Sequence, residues 1–194
     1  MRTTKGFTLI ELLVVIAIIG VLASIVMVSL SGAKSKSRDS KRQADLKTIQ
    51  LALSLYYNDN GFYPKNIYST SGAAPSNGLA PTYLPTVPRD PNGSLACTNS
   101  GVVGCYKYVA YGTGANCNAT TIPPLTYHLG ASVEDTSGSA TANDVDADTG
   151  GTYVYTGYTA CTTGVTGAAT FNGNATACTG TTAASPDVCY DVAP

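Results

Sequence analysis

The sequence predicts an α+β fold in which one long N-terminal helix packs against a small antiparallel sheet whose loops are held by disulfides. Three observations predict it. Residues 7–58 carry a continuous helical pattern, segments with alternating aromatic residues begin at residue 105, and all six cysteines lie after the apolar N-terminal segment. A chain of 194 residues has room for one globular domain beside such a helix.

The run from Phe7 to Leu30, here called the apolar segment, has 24 residues and a single charge, Glu11. This length is enough for a helix to cross the roughly 30 Å hydrocarbon core of a bilayer. A secretory signal peptide would have an apolar stretch of about 7–15 residues followed by a cleavage site of small residues. Here no Ala-x-Ala site follows the run, and the small residue, Gly6, precedes it. The segment therefore predicts a membrane helix.

The sequence Lys5-Gly6-Phe7-Thr8-Leu9-Ile10-Glu11 resembles the processing site of type IV prepilins and pseudopilins. The resemblance implies the pilin fold, cleavage after Gly6 by a membrane aspartyl peptidase, the prepilin peptidase, and N-methylation of the new terminus at Phe7. It also implies four regions. They are a cleaved leader at 1–6, a transmembrane and assembly helix at 7–30, an amphipathic spine helix at 31–58 and a globular head at 59–194.

Glu11 is the one carboxylate in the apolar segment, where a charge costs about 2.5–3.5 kcal/mol on insertion scales. One interpretation is that it lies shallow, in the headgroup zone, and needs no partner. The other is that cleavage frees an ammonium on Phe7 that pairs with Glu11 of a neighbouring subunit and sets the register between them.

The spine predicts one buried stripe, because Leu46, Ile49, Leu53 and Tyr56 recur at three- and four-residue steps. Residues 58–61 supply a stop signal, so we expect the helix to end near Tyr57, about 75 Å from its start at 1.5 Å per residue. Related pilins carry a proline at the position of Val28, and this proline accompanies a locally unwound stretch of helix in their filaments. In this chain, any such unwinding would depend on Gly20 and nearby serines instead.

Six bases follow the apolar segment: Lys34, Lys36, Arg38, Lys41, Arg42 and Lys47. A simple positive-inside count would leave the head in the cytoplasm, but the leader and the even number of cysteines favour an exported head. All 11 Lys and Arg lie at or before Lys107, whereas residues 108–194 carry seven acids. The basic helix therefore either meets the acidic head of another subunit or is solvated. The basic helix lacks the interleaved aromatic residues that are typical of a nucleic-acid-binding surface. Contact with anionic lipid is a further alternative for these bases.

The head begins with a proline-containing loop over 65–95, followed by candidate strands at 105–111, 125–130 and 152–156. His128, in the second strand, is interpreted as a sheet side chain because no catalytic partner accompanies it. The segments 60–64 and 87–91 resemble type II secretion major pseudopilins.

The cysteine pattern favours disulfides in an oxidising compartment over zinc, because there is no Cys-x-x-Cys pair and only one histidine. The six candidates allow 15 connectivities, which the sequence leaves open. They are Cys97, Cys105, Cys117, Cys161, Cys178 and Cys189. Cys97 with Cys105 is a local candidate pair, since a turn-like tetrapeptide separates them.

Asp144, Asp146 and Asp148 alternate in a way that lets three carboxylates converge on Ca²⁺. The loop is similar to the start of an EF-hand, but Thr149 stands where that motif has glycine. The resemblance to type II secretion pseudopilins implies a calcium loop near the end of the sheet. The alternative is an acidic, solvated turn.

These observations predict a structural subunit rather than an enzyme. We expect it to wait in the cytoplasmic membrane as a single-pass protein with its head outside. It would then polymerise into an extracellular or periplasmic filament on a pilus or secretion assembly platform. A type IV pilus subunit is the leading interpretation. The alternatives are the major pseudopilin of a type II secretion system and a minor pilin that binds DNA or another ligand.

Overall fold

The fold comes from a computed structural model that describes residues 8–69, 78–93, 104–114, 117–134, 158–161 and 189–194. The chain forms two compact units, residues 1–37 and residues 38–194. The second unit contains the head and the part of the long helix on which it is built.

Helix α1 runs from Leu9 to Asn60. It ends three residues later than the sequence predicted, but for the predicted reason. Gly61 adopts a φ of 76° and its N–H donates to the Tyr57 carbonyl at 2.7 Å, which closes the last turn. Asn60 adds a side-chain hydrogen bond from Nδ2 to the Tyr56 carbonyl at 2.9 Å.

In the described part of the chain, four antiparallel strands form one sheet, in the order β3-β1-β2-β4. They are β1, Lys107–Gly112; β2, Thr126–Ser132; β3, Thr159–Ala160; and β4, Cys189–Val192. The sequence predicted β1 and β2 to within two residues at each end. It did not predict β3 and β4, and the predicted strand at 152–156 lies outside the described residues.

The core of the head lies between α1 and one face of the sheet. The predicted stripe is confirmed, because Leu46, Ile49, Leu53 and Tyr56 are each 0% exposed. Cross-strand pairs in β1 and β2 supply the opposite wall, with Tyr108 facing Leu129 and Ala110 facing Tyr127 in the register. Burial of such side chains stabilises a fold by about 1.5–3 kcal/mol each relative to exposure.

The loop after α1 packs against the same core. Within its described residues, 61–69 and 78–93, it has turns but neither helix nor strand, as predicted. The Tyr63 N–H donates to the Pro124 carbonyl at 2.8 Å, and the Tyr108 hydroxyl donates to the Pro64 carbonyl at 2.7 Å. Leu79 fills the core from the far side of the loop and is fully buried.

A disulfide joins Cys117, in the β1–β2 connection, to Cys161, which directly follows β3. The Cys161 N–H also donates to the Ala110 carbonyl at 2.8 Å, so the edge strand is held twice. Cys105 and Cys189 are disulfide-bonded as well. The predicted disulfides are thus confirmed for these four cysteines, whereas Cys97 and Cys178, and with them the Cys97–Cys105 pairing, lie outside the described residues.

Candidate functional site

The first half of α1 exposes a continuous apolar surface. From Leu9 to Met27 every described side chain is exposed, which in a single chain leaves this surface uncovered. Its large apolar members are Leu9, Ile10, Leu12, Leu13, Val14, Val15, Ile16, Ile18, Ile19, Val21, Leu22, Ile25, Val26 and Met27. Within the described residues, α1 is the one helix whose length and composition suffice to cross a membrane.

Glu11 completes a capping box with Thr8 at the beginning of this helix. The Glu11 carboxylate accepts the Thr8 N–H at 2.9 Å and the Thr8 hydroxyl at 2.7 Å, both at Oε2. The Glu11 N–H in turn contacts Thr8 Oγ1 at 3.3 Å. Reciprocal bonds of this kind satisfy amide groups that the first turn of a helix leaves unpaired. The Thr-x-x-Glu spacing carries the signal for this box, and our sequence interpretation missed it.

The capping box leaves part of the Glu11 carboxylate available. Both bonds from Thr8 go to Oε2, and no group in the described part of the chain donates to Oε1. A carboxylate has acceptor sites on both oxygens. Glu11 can therefore remain the cap of its own helix while Oε1 stays available to accept a hydrogen bond from a cationic group.

Several predicted site residues lie outside the described part of the chain. Gly6 and Phe7, the predicted processing and methylation site, are among them, so the pairing of Phe7 with Glu11 stays a prediction. The same holds for the calcium candidates Asp144, Asp146 and Asp148. Within the described residues, no group of three or more His, Cys, Asp and Glu side chains could hold a metal ion.

An ion cluster joins α1 to the head, and we define it by five residues: Arg38, Asp39, Arg42, Asp90 and Glu134. Arg42 is at its centre, with its side chain only 3% exposed. It donates to Asp90 through Nε at 2.7 Å and Nη2 at 2.9 Å, and to Asp39 through Nη1 at 2.5 Å. Nη1 also lies 2.9 Å from Glu134 Oε1.

The electrostatics of the ion cluster favour its charged form. Burial by itself would lower the pKa of Arg42, but its hydrogen bonds to Asp90 and Asp39 outweigh burial and raise it. Arg38 is a second partner of Glu134, because its Nε and Nη2 groups donate to the two carboxylate oxygens. The hydrogen bond from Arg38, with that from Arg42, lowers the pKa of Glu134 to about 2 against the effect of burial.

The cluster fixes two distant parts of the head to the helix. Asp90 belongs to the proline-containing loop, and Glu134 follows the end of β2. The Glu134 N–H donates to the Asp39 carboxylate at 3.0 Å, and Asn92 Nδ2 donates to Glu134 Oε1 at 2.9 Å. For Arg42, the prediction of a solvated or subunit-contacting base is wrong, because it is buried against Asp39 of its own helix and against Asp90 and Glu134 of its own head.

Further along the helix, Asp45 continues the attachment. It accepts the Tyr106 hydroxyl at 2.7 Å and the Lys41 ammonium at 2.9 Å. The Tyr106 N–H donates to the Tyr68 hydroxyl at 3.0 Å, which donates onward to the Pro88 carbonyl at 3.0 Å. His128, fully buried in β2, is a sheet residue as interpreted. The head is therefore held by polar links at one end of its helix and by the apolar stripe at the other.

Comparisons with known proteins agree with this arrangement. Residues 1–27 match the family model for the prokaryotic N-terminal methylation motif. The chain is 36% identical over 124 residues to type II secretion system core protein G of Escherichia coli K12, covering 58% of this chain and 86% of the relative. The Pseudomonas aeruginosa protein of the same name is 31% identical over 157 residues, 77% of this chain and 95% of the relative.

The corresponding protein of Klebsiella pneumoniae is 39% identical over 102 residues, which cover 48% of this chain and 73% of the relative. No solved structure matches the chain. The aligned regions are longer than the N-terminal motif and extend into the head of this chain. The prepilin-type beginning, the long helix with its small antiparallel sheet, and these matches show that the chain belongs to the family of type II secretion system core protein G, the pilin-like pseudopilins.

Proposed function

We propose that this chain is the main structural subunit of a pilin-like filament in a type II secretion system. Its 36% identity to core protein G, in an alignment that covers 86% of the Escherichia coli relative, supports this assignment most strongly. Prepilin peptidase would remove Met1–Gly6, and the processed subunit would wait in the cytoplasmic membrane with its head outside. An assembly platform would then add it to a periplasmic filament.

The exposed apolar surface of α1 supports polymerisation. In a bilayer, lipid covers Leu9–Met27 at no hydrophobic cost, but a filament that leaves the membrane would bring the same side chains into water. Packing the apolar segments of several copies together removes that exposure. The head, which has a core of its own, would then lie outside the bundle as a folded unit.

Glu11 would set the register of assembly. An isolated carboxylate in a bundle of apolar helices is strongly penalised, and a cation at its side offsets the penalty. The new ammonium of Phe7 on a neighbouring subunit is the partner that we propose, and Glu11 Oε1 is the atom available to it. Thr8 would keep the carboxylate in place from within the same chain.

The test compares Glu11→Ala with Glu11→Gln in the full chain. Glutamine keeps the reciprocal bonds of a capping box but carries no charge. We expect both variants to be processed and found in the membrane, as shown by N-terminal mass spectrometry and fractionation, and both to lose filaments in electron micrographs. Normal filaments from Glu11→Gln would contradict the ion pair, and normal filaments from both would contradict a role for Glu11 in assembly.

A surface pilus is the second candidate. The match to the Escherichia coli relative covers 58% of this chain, and the head carries the Cys117–Cys161 disulfide, which would protect a filament exposed outside the cell. Deleting the gene separates the two functions. Loss of protein secretion with unchanged surface filaments supports the secretion system, and the reverse result supports the pilus. A minor, ligand-binding subunit would instead appear in substoichiometric amounts.

Calcium binding also stays a proposal, supported by the spacing of Asp144, Asp146 and Asp148. Calorimetric titration of the full chain with CaCl₂ would test it, with Asp146→Asn as the variant expected to lose the heat of binding. Equal heats from the two proteins would remove these carboxylates from consideration.

A further inference from the structure

Two exposed leucines lie on the part of α1 that carries the head. Leu51 is 65% exposed and Leu55 is 48% exposed, and no other large apolar side chain described in residues 38–194 is as exposed as either. Single exposed leucines are common on protein surfaces. These two are four residues apart, so they share one face of the helix and form a patch.

The helix face that continues from these leucines is uncharged. Ala44 and Thr48, both exposed, precede Leu51 and Leu55 at three- and four-residue steps. These four residues are here called the outer stripe. The Thr48 hydroxyl donates to the Ala44 carbonyl at 3.0 Å, within the helix itself. Covering the outer stripe therefore leaves no hydroxyl of the stripe without an acceptor for its hydrogen.

Neither the described part of the head nor lipid covers the outer stripe. The head packs on the opposite side of α1, where Leu53 points about 200° away from Leu51. Along the helix, Leu51 follows Leu30 by about 32 Å at 1.5 Å per residue. The polar layer on each side of a bilayer is only about 5–8 Å thick. With the apolar segment in the hydrocarbon core, the outer stripe is beyond the lipid.

The small size of the outer stripe limits which molecule can cover it. A complex that is stable by itself typically buries about 20–30 residues a side, and the stripe has four. Its partner therefore has to be held beside it by another contact, which raises the effective concentration of that partner. Bundled apolar segments would supply such a contact, because α1 is one helix from Leu9 to Asn60.

We propose that the outer stripe binds a second copy of this chain in the filament. A helical filament joins two different surfaces at each contact between copies. Leu51 and Leu55 would therefore meet a surface of the neighbouring copy other than its own outer stripe. The inference rests on the proposed function, because it requires that the α1 helices of several copies be bundled.

The experiment compares Leu51→Gln/Leu55→Gln with Leu51→Met/Leu55→Met in the full chain. Glutamine and methionine are both good helix formers, but only methionine is apolar. We expect the glutamine variant to be processed and to reach the membrane, yet to yield about ten-fold fewer filaments from equal amounts of processed protein. The methionine variant is the matched control and should yield as many filaments as the unmodified protein.

Denaturant unfolding of the isolated subunit in detergent separates a contact between copies from a role in folding. The two variants and the unmodified protein should have the same denaturant midpoint. A lower midpoint in the glutamine variant would make the two leucines part of the fold of one chain and would overturn the proposal. An unchanged yield of filaments from that variant would also overturn it.

A photoreactive benzoylphenylalanine in place of Leu55 identifies the molecule that covers the outer stripe. We expect irradiated filaments to give a covalent dimer of this chain, with the cross-linked peptide of the second copy outside residues 44–55. Cross-links to lipid or to a different protein would overturn the proposal.

The unmodified protein separates this proposal from the proposed function. If it is processed but forms no filaments, both proposals fail together. If it forms filaments and the glutamine variant forms them equally well, only the contact at the outer stripe fails.

Discussion

The apolar segment and the unit that contains the head differ in how far their apolar side chains are exposed. Where α1 carries the head, Leu46, Ile49 and Leu53 are buried, and even the charged Arg42 is almost fully enclosed among carboxylates. In the apolar segment the leucines and isoleucines are exposed, although the composition is that of a protein core. One part has its core within the chain, whereas the other needs lipid or further copies of itself to supply one.

Among the substitutions that test this difference, we expect the largest loss of folding free energy from one at the centre of the ion cluster. Arg42→Ala would leave three carboxylates without their shared cation, which for buried pairs typically costs about 3–5 kcal/mol of folding free energy. Denaturant unfolding of the full chain in detergent should show the loss. Lys47→Ala, at an exposed position of the same helix, is the control and should change the free energy by less than about 0.5 kcal/mol. Equal stabilities for the two variants would show that the cluster does not hold the head.

Two leucines on one helix provide the next test. Leu53 is 0% exposed and Leu51 is 65% exposed. Leu53→Ala should lower the free energy of unfolding by about 2–5 kcal/mol because it leaves a cavity against the sheet. Leu51→Ala should change it little in the isolated subunit, measured by the same denaturant titration. A comparable loss at Leu51 would mean that the described orientation of the spine is wrong.

The pH dependence of stability sharpens the role of the ion cluster. The pKa of Glu134 is lowered to about 2 in the folded chain from 4.5, so the stability that it contributes is present above about pH 4.5. That contribution is lost as the pH falls from about 4.5 towards 2. Glu134→Gln should flatten the stability profile in this window and leave the profile between pH 6 and 8 unchanged in shape. A variant profile as steep as that of the unmodified chain would assign the acid sensitivity to other groups.

The smallest expected effect concerns the beginning of α1. Thr8→Val removes the oxygen that caps the helix and should cost about 0.5–2 kcal/mol of local helix stability, whereas Thr8→Ser keeps that oxygen. Amide hydrogen exchange over the first turn, measured in detergent micelles, should be faster in the valine variant alone. Unchanged exchange would show that the capping box does not persist in an apolar medium.

Periodic and local features could be predicted from the sequence, and contacts between distant segments could not. The stripe at Leu46, Ile49 and Leu53 and the stop at Gly61 follow from helix geometry and from one residue's conformational freedom. The ion cluster joins Arg42 to Asp90 and Arg38 to Glu134, separations of 48 and 96 residues that no local pattern encodes.

The short strands and the disulfides show the same limit. Strand β3 has two residues and β4 has four, which is too short for an alternating pattern to stand out. The Cys117–Cys161 pair spans 44 residues and was one of many pairings that spacing left open. The Thr8–Glu11 box differs, because its two residues are three apart and the Thr-x-x-Glu spacing is a local signal that the sequence contains.

Electron cryo-microscopy of assembled filaments tests the central claim most directly. We expect Leu9–Met27 of each subunit to be enclosed by the same segment of neighbouring copies, with Glu11 beside a methylated Phe7 and the heads on the outside. A filament built through contacts between heads, with the apolar segments facing solvent, would contradict assembly through α1. A filament whose subunits still carry residues 1–6 would contradict the proposed processing.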